Sequence, residues 1–553
     1  MPRSPRPILQ ASIVASFFLA FYLATLSRNL ALAHDSVYYL HAIETGIDLF
    51  HPHHLFYAPL ARAWLLGLRL FAPQVNPTLA VDALNSVAGA LGAAVSFLLL
   101  RRRFGLSVAA AFVGTALAGL SFGYWFYSVC IEVYLIPLSF LLLTLHVLSG
   151  GPFTGRRAAA VACLHALAVV FHQVHVLFGS VVVAAWAWTA RRDFSGALRG
   201  AAAYLALVIP LVVIPYVLVM AVPLRLHSAG EGWLWLTTYA RQSEFWSPLA
   251  LSTAVKAGVG ALRAVFGMHF AFAVPAVRQV IGRVFPGQLS VDEMYLVRPM
   301  APATGVVLLC LAVSVLAGTA LGWLGGWRRK EPLDETAART LLLLGVWIAT
   351  YAVFFFFWVP FNPEFWIPQV TAGWLAFAGV LLAPRAGATS RSTWLWLASY
   401  LALGLLVVNG LGTIRWTAAA DRDYYSVQTA PLSHLSREGD LVVFGRKWIL
   451  EGYLRRLSPA EGIGILESRK TSGGGEAFED SLEMRVHGAL ARGGRVWVSR
   501  EAVELEPPVT ASLGRDTVRV RRLWAPYAGA WRAVHEGPSL FYEIVSADTA
   551  QAR

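Results

Sequence analysis

A chain of 553 residues that is 57% hydrophobic and only 14% charged carries far more apolar side chain than a soluble core accommodates, which excludes a soluble globular protein. Its net charge of +13 would suit a nucleic-acid binder, but residues 415–553 hold 19 Lys and Arg against 18 Asp and Glu. The excess therefore lies in the apolar part, where membrane topology accounts for it and no nucleic-acid partner is needed. Cys130, Cys163 and Cys310 all fall inside apolar stretches, so none reads as a disulfide partner or metal ligand.

A helix that crosses a bilayer takes about 20 mostly apolar residues, with every backbone group bonded within it. Eleven segments meet that demand: 8–30, 76–100, 106–122, 131–149, 158–174, 176–190, 200–223, 303–325, 339–359, 366–384 and 393–413. Lys and Arg stay on the cytoplasmic side. With Arg3 and Arg6 inside, the inner loops present Arg101, Arg102 and Arg103, then Arg156 and Arg157, then Arg191, Arg192 and Arg199, then Arg328, Arg329, Lys330 and Arg339, then Arg385 and Arg391. The pattern predicts a cytoplasmic amino terminus, a bacterial plasma-membrane setting, and an outer face holding residues 31–75, 224–302 and the carboxyl-terminal part. Residues 53–72, with Pro59, Arg62 and Arg69, and residues 255–275, with Lys256 and Arg263, fit interfacial helices better than spans. Arg3, Arg6 and the apolar run up to Ala31-Leu32-Ala33 also suggest a cleavable signal, but the run exceeds the usual h-region and favours a retained anchor.

From about residue 415 short β-rich runs take over: Asp440–Phe444, Arg495–Val498, Thr517–Val520 and Ser539–Val545, punctuated by Ser472-Gly473-Gly474-Gly475. The expected architecture is an all-α polytopic membrane domain of about 11 transmembrane helices over residues 1–414, followed by a small extramembrane α/β domain over 415–553.

Chemistry-bearing residues gather at the outer ends of the spans. Asp35, between His34 and Ser36 beyond the first span, is a carboxylate where an incoming hydroxyl can lose its proton; its plainer role is to end a helix. Glu132 opens the fourth span beside Tyr124, Tyr127 and Tyr134. An acid placed in an apolar segment usually faces a cavity, although one in a first helical turn also complements the helix dipole. His51, His53 and His54, which lead into Tyr57, join His172 and His175 on the same side. Five imidazoles suit the polar lining of a substrate cleft or a divalent cation, but no HExxH or cysteine-bearing pattern supports a metal. Arg241, Arg278, Arg283 and Arg298 offer planar forks for a phosphate, or plain headgroup anchors.

These residues together resemble GT-C glycosyltransferases: Asp35 after the first span, His51-Pro52-His53-His54-Leu55-Phe56-Tyr57, Ile131-Glu132-Val133-Tyr134, His172-Gln173-Val174-His175 and a Pro-rich turn into a late span. Among them the protein O-mannosyltransferase-related branch looks most similar. The resemblance covers most of residues 8–384 and implies a polyprenyl-phosphate sugar donor, transfer on the outer face to a protein, lipid or glycan hydroxyl, and Asp35 as catalytic base. Glu132 is the second candidate catalytic residue, and His53, His54, Tyr57, Tyr134 and His172 are candidate substrate contacts. One departure stands out. Many relatives carry Arg-Tyr-x-x-Pro where this chain has Glu364-Phe365-Trp366-Ile367-Pro368, so phosphate binding falls to another cation, Arg241 being the candidate, and Glu364 is left for a metal or the acceptor. The competing classes are a transporter or lipid flippase, which would place charges and helix breaks near mid-span, and a non-catalytic scaffold.

Overall fold

The structure is a computed structural model that describes residues 6–284, 290–328, 332–384, 391–445, 448–505, 513–536 and 539–544. Arg3, Arg329, Lys330 and Arg385 of the charge pattern, and Val545 of the last expected strand, lie outside the described residues. The chain forms two compact units. One comprises Met1–Arg28, Ala42–Val277 and Val297–Ala418; the other comprises Asn29–His41, Arg278–Leu296 and Ala419–Arg553.

The first unit is helical, and each of the eleven expected apolar segments contains a helix. Among the described residues, seven helices are long and apolar enough to cross a membrane, from Pro77–Arg103 to Ser392–Thr417, and three more apolar helices are shorter. Local chemistry sets their ends. Asn76, Ser107 and Asp334 cap helices by accepting from the amides of Leu79, Ala110 and Ala337. Arg101, Arg102 and Arg103 close the Pro77–Arg103 helix, where cations complement its dipole. That helix is central, with 78% of its apolar window buried, whereas Phe194–Ala221 has only 17% buried and presents an apolar surface suited to lipid. Small residues allow the close approach: a Cβ on Gly92 would lie 2.3 Å from the Tyr124 hydroxyl, and one on Gly114 would lie 2.8 Å from Ala378.

The two apolar stretches withheld from the span count are the helices Tyr57–Arg69 and Leu251–Phe266, of 13 and 16 residues. Both are short of the length a crossing needs. The expected 131–149 segment becomes helical only at Leu135. Glu132 therefore precedes the helix, and the helix-dipole role drops out.

The second unit is a three-layer α/β structure around a sheet of order β2-β1-β3-β5-β4, with β1 Leu441–Phe444, β2 Glu461–Gly464, β3 Val496–Ser499, β4 Trp531–Glu536 and β5 Ser539–Ile544. Strands β1, β2 and β3 are parallel, whereas β5 runs antiparallel to β3 and β4. Alternation along the strands splits the core. Leu441, Val443, Val496 and Val498 pack against Phe478, Leu482 and Val486 on one face. Val442, Phe444 and Trp497 pack against Ile449, Tyr453 and Leu454 on the other. The expected strand at 517–520 is instead the start of helix Thr517–Trp524. Its Val-Arg-Val-Arg alternation imitates a strand, but the buried positions Val520, Leu523 and Trp524 follow helical spacing, and Arg519 reaches Glu479 at 2.8 Å.

Asp440 fastens β1 to β3. Its buried carboxylate accepts from Arg495 Nε at 3.1 Å, the Arg495 amide at 2.8 Å and Trp497 Nε1 at 3.2 Å. Breaking a buried pair from one side typically costs about 3–5 kcal/mol. Asp440→Ala is therefore expected to destabilise this unit by several kcal/mol, and limited proteolysis across a urea series should show earlier cleavage within residues 419–544 and an unchanged profile for the helical unit.

Candidate functional site

In the helical unit the site starts from the His51–Tyr57 segment, which carries no regular structure until Tyr57 and must be held from outside. Tyr216 Oη donates to the Pro52 carbonyl at 2.8 Å, and the Gln173 amide donates to the His53 carbonyl at 2.9 Å. These bonds fix the segment against the end of the Gly155–Phe171 helix, where His172 adopts an extended backbone and starts a 3₁₀ turn. His172 therefore stands off the helix end, and its ring lies 5.3 Å from that of His175. His54 stands 4.4 Å from His172, edge to face, and 5.3 Å from His51. Tyr239 covers His51 and His53 at 5.3 and 4.9 Å.

Burial, with His53 close by, lowers the His51 pKa to about 4, and burial lowers that of His53 to about 4. His54, buried beside His172, lies well below the ordinary histidine value. At neutral pH these rings are uncharged, each with one donor and one acceptor. Such a lining suits hydroxyl groups better than a phosphate. Among the described residues, no group of three or more His, Cys, Asp or Glu is arranged to hold a metal ion.

The unfolded chain takes up protons on these histidines below about pH 6.5, whereas the folded chain does so only near pH 4. Stability is therefore present above the unfolded value and lost as pH falls from about 6.5 to 4, by on the order of 3 kcal/mol per ring. Thermal unfolding of His51→Asn/His53→Asn is expected to fall less steeply than wild type over that window.

Glu132 sits in the irregular turn before Leu135 and is 2% exposed. The turn is held by Asn85 of the central helix, whose Nδ2 donates to the carbonyls of Cys130 at 2.6 Å and Glu132 at 2.8 Å and approaches Tyr57 Oη at 3.2 Å. One buried amide thus ties Tyr57 to the Glu132 backbone. On the opposite side Tyr134 packs 5.6 Å from His172, 5.2 Å from Tyr127 and 6.2 Å from Phe365. Burial, with the carboxylates of Glu364 and Glu132 nearby, pushes the Tyr127 hydroxyl well above its ordinary value, so it stays protonated. It donates to Glu364 Oε2 at 3.2 Å, while Asn362 Nδ2 donates to Oε1 at 2.7 Å.

Asn85→Ala would leave two buried carbonyls without their donor, at about 1–3 kcal/mol each. A destabilisation of that size is expected in thermal unfolding, with faster amide exchange confined to residues 128–134.

Seven of the nine candidates from the sequence, Glu132, His53, His54, Tyr57, Tyr134, His172 and Glu364, meet in this unit. Arg241 is exposed, two residues beyond Tyr239. Asp35 belongs to the second unit, half-buried directly before helix Ser36–Thr45. Sequence reasoning passed over Asn85, Tyr239 and Arg263, whose guanidinium lies 4.9 Å above the Phe361 ring beside the Glu364 turn. Asn85 had one signal, a buried-type amide in the middle of an apolar run. Tyr239 and Arg263 had none that set them apart from interfacial anchors.

The fold is that of an integral membrane protein of the GT-C fold. The chain is similar to ArnT from Cupriavidus metallidurans bound to undecaprenyl phosphate, with a TM-score of 0.53 at 13% identity over 99% of each chain. The apo state of that protein gives 0.53 at 12% identity over 97% of this chain and 98% of the other. The Archaeoglobus fulgidus oligosaccharyltransferase AglB, in complex with an inhibitory peptide and a dolichol-phosphate, gives 0.49 at 12% identity over 98% of this chain and 74% of its own. The Saccharomyces cerevisiae Pmt1-Pmt2 complex bound to the sugar donor gives 0.35 at 13% identity over 48% of this chain and 37% of that one; these last two are too distant to refine the assignment. No protein-family model matches the chain, and no curated protein matches it in sequence.

Proposed function

We propose that this protein transfers a sugar from a polyprenyl-phosphate donor to an acceptor hydroxyl on the outer face of the membrane. The observation that supports it most is the meeting of Glu132, Glu364, three tyrosines and neutral histidines at one place in a GT-C helical unit. Neutral imidazoles and phenols bind sugar hydroxyls, and the fold is shared with a protein whose structure holds undecaprenyl phosphate.

On this reading Asp35 is the general base. The acceptor hydroxyl gives its proton to the Asp35 carboxylate, its oxygen bonds to the anomeric carbon, and the bond from that carbon to the phosphate oxygen breaks, with the electron pair leaving on the polyprenyl phosphate. Attack in line with the leaving group inverts the linkage. Glu132 is proposed as the second catalytic carboxylate, with His53, His54, Tyr57, Tyr134, His172 and Glu364 as substrate contacts, and Arg241 as a cation for the phosphate. A hexose such as mannose is the donor sugar by resemblance to the O-mannosyltransferase branch. The Lys and Arg pattern supports an amino terminus inside, and a bacterial plasma membrane is the proposed setting.

General-base assistance contributes about 10²–10⁴ in rate. Asp35→Asn is expected to fold normally and to lose at least about 100-fold in transfer from radiolabelled polyprenyl-phosphate sugars by the purified protein. Turnover at the wild-type rate would remove Asp35 from the mechanism.

A further inference from the structure

The segment that carries Asp35 does not stand alone in its unit. Ala31 and Val37 are fully buried in the sheet face formed by Val442, Phe444, Ile449, Tyr453 and Leu454. Asp423 supplies the polar anchor. Its carboxylate, 1% exposed, accepts from the Leu30 amide at 2.8 Å, the Ser426 amide at 2.9 Å and Tyr453 Oη at 2.5 Å, and is also bonded by the Ala31 amide. Asn29 adds a second tie, donating through Nδ2 to the Arg422 carbonyl at 3.0 Å and accepting from the Leu32 amide at 2.9 Å. From there the chain turns tightly. The His34 amide bonds to Ala31 O at 3.0 Å, and His34 takes a left-handed backbone with φ of 52°. The Asp35 amide bonds to Ala33 O at 2.6 Å, and the next helix then starts. Gly452 closes the far side, where a Cβ would lie 2.8 Å from Val37 and 3.2 Å from the Tyr38 ring.

We infer that the carboxyl-terminal α/β unit serves the reaction by holding the Asp35 loop in place, with Asp423 as its positioning residue. The inference rests on the reading of Asp35 as the base. Four donors converge on one buried carboxylate, and two of them are loop amides, only four or five residues before Asp35. The same carboxylate caps helix Tyr424–Thr429 through Ser426, so one buried acid joins the loop to the start of that helix and to Tyr453. Positioning effects are large because a misplacement of about 1 Å can cost about 100-fold.

The test uses the full chain in lipid nanodiscs with a polyprenyl-phosphate sugar, and compares wild type, Asp423→Asn, Tyr453→Phe, Gly452→Val and Asp35→Asn by steady-state kinetics and hydrogen–deuterium exchange. Asp423→Asn and Gly452→Val are expected to lower kcat about 10- to 100-fold, to leave the donor KM within about two-fold, and to speed exchange in residues 29–41 while strands β1 and β3 keep their protection. Tyr453→Phe keeps both loop amides on Asp423 and serves where the first variant misfolds; it is expected to give a smaller change in the same direction. Wild-type kcat despite faster exchange in 29–41 overturns the inference, as does unchanged exchange there or a general loss of protection across the sheet. Asp35→Asn at the wild-type rate overturns the base reading itself, a result separate from any of these.

Discussion

A polar side chain surrounded by hydrocarbon has to find a partner in place, because the cost of burying an unpaired donor or acceptor is a few kcal/mol and water is not at hand. At three places the helical unit meets this demand where irregular backbone interrupts the helices. Asn85 offers its amide to the carbonyls of the Cys130–Glu132 turn, Tyr216 to the Pro52 carbonyl, and Tyr127 to Glu364. Each bond satisfies a buried acceptor and, in the same act, sets the course of a segment that carries a candidate functional side chain. Stabilising the fold and shaping the polar mouth are thus one set of interactions.

The second unit solves the same problem with two buried aspartates. Asp440 draws Arg495 and Trp497 onto the ends of two parallel strands, and Asp423 draws together Leu30, Ser426 and Tyr453. In both cases one carboxylate gathers donors from segments distant in the chain, 55 residues for Asp440 and Arg495 and 393 for Leu30 and Asp423. A soluble-looking module at the carboxyl terminus is in this way completed by a loop from the start of the chain. The α/β unit is therefore not a detachable appendage: removing residues 419–553 would strip Ala31 and Val37 of their core.

Apolar length located a helix in each of the eleven segments, and the two stretches set aside for their prolines and charges are shorter helices, because the hydrocarbon thickness imposes a requirement a sequence cannot meet by accident. Strand signals were weaker. Leu441–Phe444 and Val496–Ser499 were legible as β-branched runs, but Glu461–Gly464, of the same length, is too rich in glycine to stand out, and Thr517–Trp524 mimics alternation while burying a helical face. The site was legible as a list of residues, not as an arrangement. Glu132 reads as the first turn of a helix, and only the structure shows it three residues short of one. No spacing rule links Asn29 to Arg422, so the membership of residues 29–41 in the second unit had no local signature.

The turn at residues 363–366 separates this chain from the pattern it resembles. A carboxylate stands where relatives carry a guanidinium, and Glu364 is held by two neutral donors, Tyr127 and Asn362, instead of by a cation. A carboxylate so held keeps its charge uncompensated by those partners and repels a phosphate, but it accepts readily from hydroxyls. On the proposed function, this turn therefore faces the sugar or the acceptor, and the phosphate must meet its positive charge elsewhere. Arg263 lies beside the same turn, its guanidinium over Phe361, while Arg241 lies exposed past the tyrosine that covers His51 and His53. The guanidinium over Phe361 sets a cation on the flank of this turn, and on the proposed function the hydroxyl-reading groups gather around Glu364 while the phosphate is met by a cation away from it.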